Sequence, residues 1–432
     1  MASSIHAAPA PAGGVPTWRR LSAVASQGVA SGTPYMVGTK LLQGWLTASG
    51  VPLGLIGLLA YAELPYTLKM FWAPAMDRWP IRWPDRRRGG LLVLQVLLVA
   101  VIAALALLQP GKEPARLMAI GVMALLLAVV SASQDILVDA YRTDLLPPSE
   151  RGAGAAAANL GYRAAMLAVG AGGFSLAGSI GWPAAFVASA ALMLAVLPFT
   201  LTAPAVPPVQ HQVASLRQAV AGPAAEFLRR TGGPRAVMLL ALVLLYRWPD
   251  GLLNVMAVPF LLQQGFSEAT VGSVLAGWGI VATIAGTVLG GVLFSRLGLN
   301  RSLWLFAVVG ALGNLAYWAL AAFGGGMVGL LAAVGLENVS GGMVGAAFVA
   351  LLMSLCNPRF SATQYALLSG VYALSRSVLS GQAGFVAESV GWSTFFLLTV
   401  ASALPAFVLM LFLTPWNGRA ARGAFDPERD PT

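Results

Sequence analysis

Twelve stretches of this chain stay apolar for the roughly 20 residues that a helix needs to cross a bilayer, and ionisable residues interrupt several of them. Only helices and closed barrels satisfy every backbone polar group in lipid. The pattern therefore predicts an all-α membrane protein of twelve transmembrane helices. The predicted spans are 19–48, 53–76, 89–109, 116–143, 152–180, 183–203, 236–262, 270–296, 301–323, 327–356, 361–389 and 392–414. The most informative run leads from Gly121 into Ser131-Ala-Ser-Gln134-Asp135-Ile-Leu-Val-Asp139-Ala-Tyr-Arg142-Thr-Asp144. A charged side chain in hydrocarbon costs about 3 kcal/mol or more, so it persists where it has a partner or lines a wet cavity.

Composition supports this class. Only 10% of the 432 residues are charged and 58% are hydrophobic, whereas soluble domains carry about 25% charged residues. The 49 glycines and 27 prolines suit closely packed membrane helices. A net charge of +10 could signal a nucleic-acid partner. The basic residues instead sit in short loops between spans, where they set topology and meet anionic headgroups. The lipid bilayer is the expected partner and nucleic acid is not. A single cysteine, Cys356, excludes an internal disulfide framework and a cysteine metal cluster. His6 and His211 fall in a tail and a linker, so no metal or other cofactor is expected.

Loop charges alternate along the chain. One set holds Arg19-Arg20, the run Asp77 to Arg88, Glu150-Arg151, the linker, Arg296 with Arg301, Arg359, and Arg419 with Arg422. The other holds only Lys112, Glu113, Arg116, Glu268 and Glu388. The positive-inside rule then places both termini in the cytoplasm. Residues 1–16 lack the basic and apolar regions of a secretory signal and are expected to be a disordered tail. The first span is expected to serve as both targeting signal and anchor.

The expected organisation is a six-helix half over 17–203, a cytoplasmic linker over 204–235, a second six-helix half over 236–414 and a tail over 415–432. Ser179-Ile-Gly181-Trp182 echoes Ser389-Val-Gly391-Trp392, and spans five and eleven each carry an arginine, Arg163 and Arg376. Such a repeat in a membrane chain points to alternating access, with the site between the halves near the midplane. Two parallel six-span repeats match the major facilitator architecture. Nothing in the sequence forces a dimer, and a monomer is expected.

Several segments resemble the anhydromuropeptide permease (AmpG) family. They are Leu68-Lys69-Met-Phe-Trp-Ala-Pro74-Ala-Met-Asp77-Arg78, Ser131 to Asp135, Glu150-Arg-Gly-Ala-Gly-Ala156 and Leu160-Gly-Tyr-Arg163. In the second half they are Glu337-Asn338, Phe348 to Met353, Leu355-Cys-Asn357, Phe360-Ser-Ala-Thr-Gln364-Tyr-Ala-Leu-Leu368 and Gly391-Trp-Ser-Thr-Phe395. The likeness covers nearly all of residues 20–415. It implies a proton-coupled importer in the bacterial inner membrane. Its implied cargo is N-acetylglucosaminyl-1,6-anhydro-N-acetylmuramyl peptides, recovered from cell-wall turnover. Muropeptide and protons are thus the expected small partners. Some members of the family carry two further C-terminal spans, and twelve are expected here. A related group carries acetyl-coenzyme A, so another bulky anion is the alternative cargo.

Asp135, Asp139 and Arg142 fall at i, i+4 and i+7, which sets two carboxylates and a cation on one face of span four beside Gln134. Proton coupling needs a carboxylate that is neutral in one state and charged in another. Asp135 lies about 6 Å deeper than Asp139, which favours it for the proton; Asp139 is a weaker proton candidate or a partner to Arg142 or to the arginines after span two, and Gln134, Arg142 and Asn338 are candidates for the cargo. Glu337 in span ten, beside Asn338, is a further proton candidate.

Guanidinium groups grip carboxylates bidentately, so Arg163 and Arg247 are the first candidates for the peptide stem. Arg247 lies three residues from Asp250 and could be self-neutralised, and Arg376 could serve the stem or bridge to a neighbouring span. Gln43, Trp45, Asn159, Tyr162, Trp278, Gln364 and Tyr365 offer flat faces and amides for sugar rings. Asp77-Arg78 with Arg86-Arg87-Arg88 resembles the facilitator loop motif between spans two and three, and Lys69, Asp77 and Arg78 are expected to gate. Lys40 and Glu63, each about 15 Å deep in successive spans, are expected to pair with each other. An enzyme acting on lipid-linked wall precursors is disfavoured: no histidine lies in a span, and the carboxylates lack metal-ligand spacing.

Overall fold

The computed structural model describes residues 15–78, 81, 83–111, 113–147, 150–206, 216–357 and 361–413. The expected tails up to residue 14 and from residue 414, with linker residues 207–215, lie outside them. Every regular element among the described residues is helical. Seven are long and apolar enough to cross a membrane: Arg86–Leu107, Pro114–Leu145, Trp182–Thr202, Gly233–Gln263, Glu268–Phe323, Gly326–Leu355 and Trp392–Leu413. The longest turns at Gly298, whose φ of +71° only glycine adopts freely. That turn falls in the loop predicted between spans eight and nine.

The remaining predicted spans are built from shorter helices joined by non-α turns. α1 (Thr17–Met36) meets α2 (Leu42–Ala48) through a π turn, Val37–Leu41. Next come α3 (Leu53–Gly57), a 3₁₀ turn Leu58–Glu63, α4 (Leu64–Leu68), a 3₁₀ turn Lys69–Phe71 and α5 (Ala73–Arg78). α6 (Arg86–Leu107) and α7 (Pro114–Leu145) are uninterrupted. α8 (Arg151–Leu167) and α9 (Gly173–Ser179) flank the π turn Ala168–Gly172, and α10 (Trp182–Thr202) follows.

α11 (Leu216–Thr231) lies in the linker. α12 (Gly233–Leu245) and α13 (Trp248–Gln263) break at Tyr246–Arg247. α14 (Glu268–Gly272), a π turn Ser273–Trp278, α15 (Gly279–Phe323) and α16 (Gly326–Leu355) come next. α17 (Ser361–Leu374) joins α18 (Ala383–Val390) beyond the π turn Ser375–Leu379, and α19 (Trp392–Ala401) and α20 (Leu404–Leu413) close the described chain.

Several of these interruptions hold ionisable residues. Lys40 and Arg376 sit in π turns, Glu63 ends a 3₁₀ turn and Arg247 stands at the α12–α13 break. Extra residues in a helical ladder free backbone groups and re-aim side chains, which is why π turns recur at functional sites.

The chain forms two compact units. The first draws on residues 1–41, 68–109 and 118–213. Its helices approach closely where they lack side chains: a Cβ on Gly161 would overlap the Ala25 carbonyl, and one on Gly28 the Ala158 carbonyl, so α8 lies flush on α1. Gln27, Gln95 and Thr200 close a buried ring of hydrogen bonds at 2.9 to 3.0 Å that ties α1, α6 and α10 together. The second unit draws on residues 42–67, 110–117 and 214–432. Its core gathers Leu242, Tyr246, Phe306, Phe348 and Leu351 among others. It includes α2 and α3, which lie against α13 and α18.

Candidate functional site

In the first unit, α7 presents Asp135, Asp139 and Arg142 with the expected helical spacing. Asp139 is held by Arg142 at 3.0 Å and by Lys69 at 3.8 Å. Asp135, one turn deeper and half-buried, has Ser31 and the same Lys69 beside its carboxyl group. Its Oδ1 is buried without a hydrogen-bond partner. Lys69 therefore faces two carboxylates, one exposed and fixed by an arginine, the other enclosed. One cation serving two acids can follow whichever is charged.

Gln134 is engaged within the helix packing. Pro34 inside α1 has no N–H to give to the Ala30 carbonyl four residues earlier. The Gln134 Nε2 donates to that carbonyl at 2.9 Å, and the side chain is fully buried. Arg142 is likewise committed to Asp139.

On α8, Tyr162 faces Tyr35 with ring centroids 6.3 Å apart, and Asn159 is exposed. Arg163, next to Tyr162, is half-buried and has no ion-pair or hydrogen-bond partner among the described residues. A guanidinium left unneutralised in an apolar span is costly, and an anionic ligand relieves that cost.

In the second unit, Arg247 is paired with Asp250, Nε to Oδ2 at 3.2 Å, and its guanidinium carbon lies 5.4 Å from the Tyr372 ring centre. The i, i+3 self-neutralisation weighed from the sequence is thus the arrangement found. Glu63 was expected to meet Lys40, whereas the structure sets Arg376 against it at 2.5 Å. Packing of α3 on α18 brings Arg376, remote along the chain, to that carboxylate. Glu337 accepts from Asn338 Nδ2 at 2.7 Å, and Thr283 donates to Asn338 Oδ1 at 2.8 Å. Gln43 and Trp45 are buried in α2.

Gln364 is buried in a polar junction, and Tyr365 beside it is half-buried. Gln364 donates to Pro223 O at 2.9 Å and to Glu226 Oε2 at 2.5 Å, and accepts from Asn357 N at 2.7 Å. It fastens the linker helix α11 to the start of α17, and Tyr365 packs on the core of this unit. The polar neighbours of Gln364 belong to this junction. Trp278 donates Nε1 to Leu331 O at 2.9 Å.

The side chains of Asp77 and Arg78 lie outside the described residues. The basic run after them is tied to neighbouring helix ends. Asp85 caps α6 by accepting from Arg87 N and Arg88 N at 3.0 Å. Arg87 pairs with Asp144 at the end of α7, Nε to Oδ2 at 2.8 Å. Arg88 pairs with Asp85 and donates to the carbonyls of Leu201 and Ala203. Arg20 grips both oxygens of Glu150, at 2.8 and 2.5 Å. The sequence alone does not pair Arg87 with Asp144 or Arg20 with Glu150. Acidic residues flanking the basic runs at span ends were the available clue.

The sequence matches the profile described as Major Facilitator Superfamily over residues 21–380. It is 40% identical over 386 residues to the anhydromuropeptide permease of Escherichia coli K12, which covers 89% of this chain and 77% of that protein. The fold is similar to the crystal structure of the nucleoside transporter NupG, with TM-score 0.71 at 13% identity, covering 93% of this chain and all 100% of that one. It is also similar to the crystal structure of a D-xylose-proton symporter, with TM-score 0.68 at 16% identity over 94% and 98% of the two chains.

Proposed function

The chain belongs to the anhydromuropeptide permease family of the major facilitator superfamily, and from that premise we propose that it imports N-acetylglucosaminyl-1,6-anhydro-N-acetylmuramyl peptides for cell-wall recycling. It is a membrane transporter and not an enzyme, as its relatives are. The carrying observation is the 40% identity to the E. coli permease over 89% of the chain. In this reading, twelve helices form two six-helix halves with both termini in the cytoplasm. The chain works as a monomer in the bacterial inner membrane, by alternating access.

The geometry supports a division of labour. Arg163 lacks an internal partner among the described residues and is the candidate for a carboxylate of the peptide stem. Asp135 carries the coupling proton. When it is charged, Lys69 is drawn to it; when it is neutral, Lys69 is left to Asp139. Glu337 with Asn338 is a second candidate for the proton.

The test is uptake of radiolabelled muropeptide into right-side-out vesicles under an imposed inward proton gradient. Unlabelled muropeptide should compete and acetyl-coenzyme A should not; competition by the nucleotide alone would overturn the cargo. Asp135→Asn should lose accumulation while retaining exchange of cargo at equilibrium. Normal accumulation by that variant would show that the coupling proton rides elsewhere.

A further inference from the structure

We propose that the Glu63–Arg376 ion pair is the inner bar of a periplasmic gate, and that the outward path opens only when it parts. The inference rests on the transporter reading above and adds the pair of residues that holds one end shut.

α3 and α18 lie in backbone contact. A Cβ on Gly57 would meet the Gly381 carbonyl and the Gly384 nitrogen, each at 2.9 Å, and one on Gly384 would overlap the Leu53 carbonyl. The Phe385 ring covers Gly54, whose N–H donates to Glu388 Oε2 at 3.1 Å. Glycines three residues apart on both segments thus allow a flush seal. In the proposed topology this seal sits at the periplasmic end. Deeper along the same two segments, Glu63 Oε2 meets Arg376 Nη2 at 2.5 Å.

Residues 53–63 and 375–390 come from the first and second six-helix halves of the proposed architecture. A carrier that alternates cannot keep this contact and also open outward, so the contact must break in each cycle. The pair suits that task. Its side chains are 13% and 37% exposed, so the arginine is not sealed inside the packing. Each partner sits on a non-α turn, where the ladder is already irregular.

The experiment uses the full chain in right-side-out vesicles without cargo, with Cys356→Ser as background and Ser380→Cys as reporter. Ser380 is fully buried just beyond Arg376. Its labelling rate with a membrane-impermeant maleimide reads the population open to the periplasm. Glu63→Gln should raise that rate about fivefold or more, the factor that roughly 1 kcal/mol of population shift gives. The exchange Glu63→Arg with Arg376→Glu should bring it back to within about twofold of the parent. A control thiol, Ser131→Cys, equally buried in the first unit, should keep its rate. Parental labelling of Glu63→Gln, fast labelling of the exchange variant, or an equal rise at the control would each overturn the gate. A chain that labels as expected but takes up no muropeptide would overturn the cargo assignment and leave the gate standing.

Discussion

Gln134 completes the hydrogen bond that Pro34 cannot make: its Nε2 donates to the Ala30 carbonyl, four residues before the proline, at 2.9 Å. A side chain from α7 thus repairs a gap in the ladder of α1. Stranding a buried carbonyl costs about 1–3 kcal/mol. Gln134→Ala should lower the thermal unfolding temperature in detergent, and adding Pro34→Ala should recover most of the loss, because the new N–H reaches the same carbonyl. No recovery in the double variant would mean that Gln134 acts through something other than this bond.

Arg87 and Asp144 form an ion pair only 7% and 8% exposed, joining the start of α6 to the end of α7. Removing one partner of a buried pair leaves an uncompensated charge and costs about 3–5 kcal/mol. Arg87→Ala and Asp144→Ala should each destabilise by that order, and the double variant should cost much less than their sum. Additive losses in a thermal-shift cycle would show the two residues to be energetically independent.

Arg163→Lys keeps the charge and loses the planar fork. The KM for peptide-bearing muropeptide should rise about tenfold, equivalent to 1.4 kcal/mol. Uptake of the peptide-free disaccharide should change little. Equal damage to both cargos would assign Arg163 to the scaffold.

Two carboxylates outside the spans make stability acid-sensitive. Hydrogen bonds from Arg20 and Thr17 hold Glu150 below the usual glutamate range. Burial pushes Glu226 up, but hydrogen bonds from Asn357, Gln364 and Arg230 outweigh it and bring the net below that range. A carboxyl lowered in the folded state adds stability that is fully present above the unfolded value of about 4.3 and is lost as pH falls through the folded value. The unfolding temperature should therefore be steady from neutrality to about pH 5 and fall below it. Glu226→Gln should be less stable than the parent at neutral pH and show a shallower acid slope. An unchanged slope would remove Glu226 from the account.

Where the sequence read well, it read local properties. Hydropathy over 20 residues is a property of each segment by itself, so Arg86–Leu107 and Trp182–Thr202 stand close to where they were expected. The i, i+4, i+7 spacing of Asp135, Asp139 and Arg142 is helical geometry, and the Arg142–Asp139 pair follows from it. Arg247 and Asp250 pair for the same reason.

Partnership between distant residues was not legible. Nothing along the chain pointed from Glu63 to Arg376, which reaches the carboxylate where glycine contacts draw α3 and α18 together. Gln134 and Gln364 looked like ligands because an amide in an apolar run reads identically whether it binds cargo, mends a proline gap or anchors a linker. The π and 3₁₀ turns under Lys40, Glu63 and Arg376 also left no periodic mark. By itself the sequence determined the helical membrane class and which residues share a helix face, because those depend on neighbours within a few turns. Only the tertiary structure decided which charges neutralise each other and left Arg163 without a partner among the described residues, because those outcomes depend on how closely two helices from remote parts of the chain can approach.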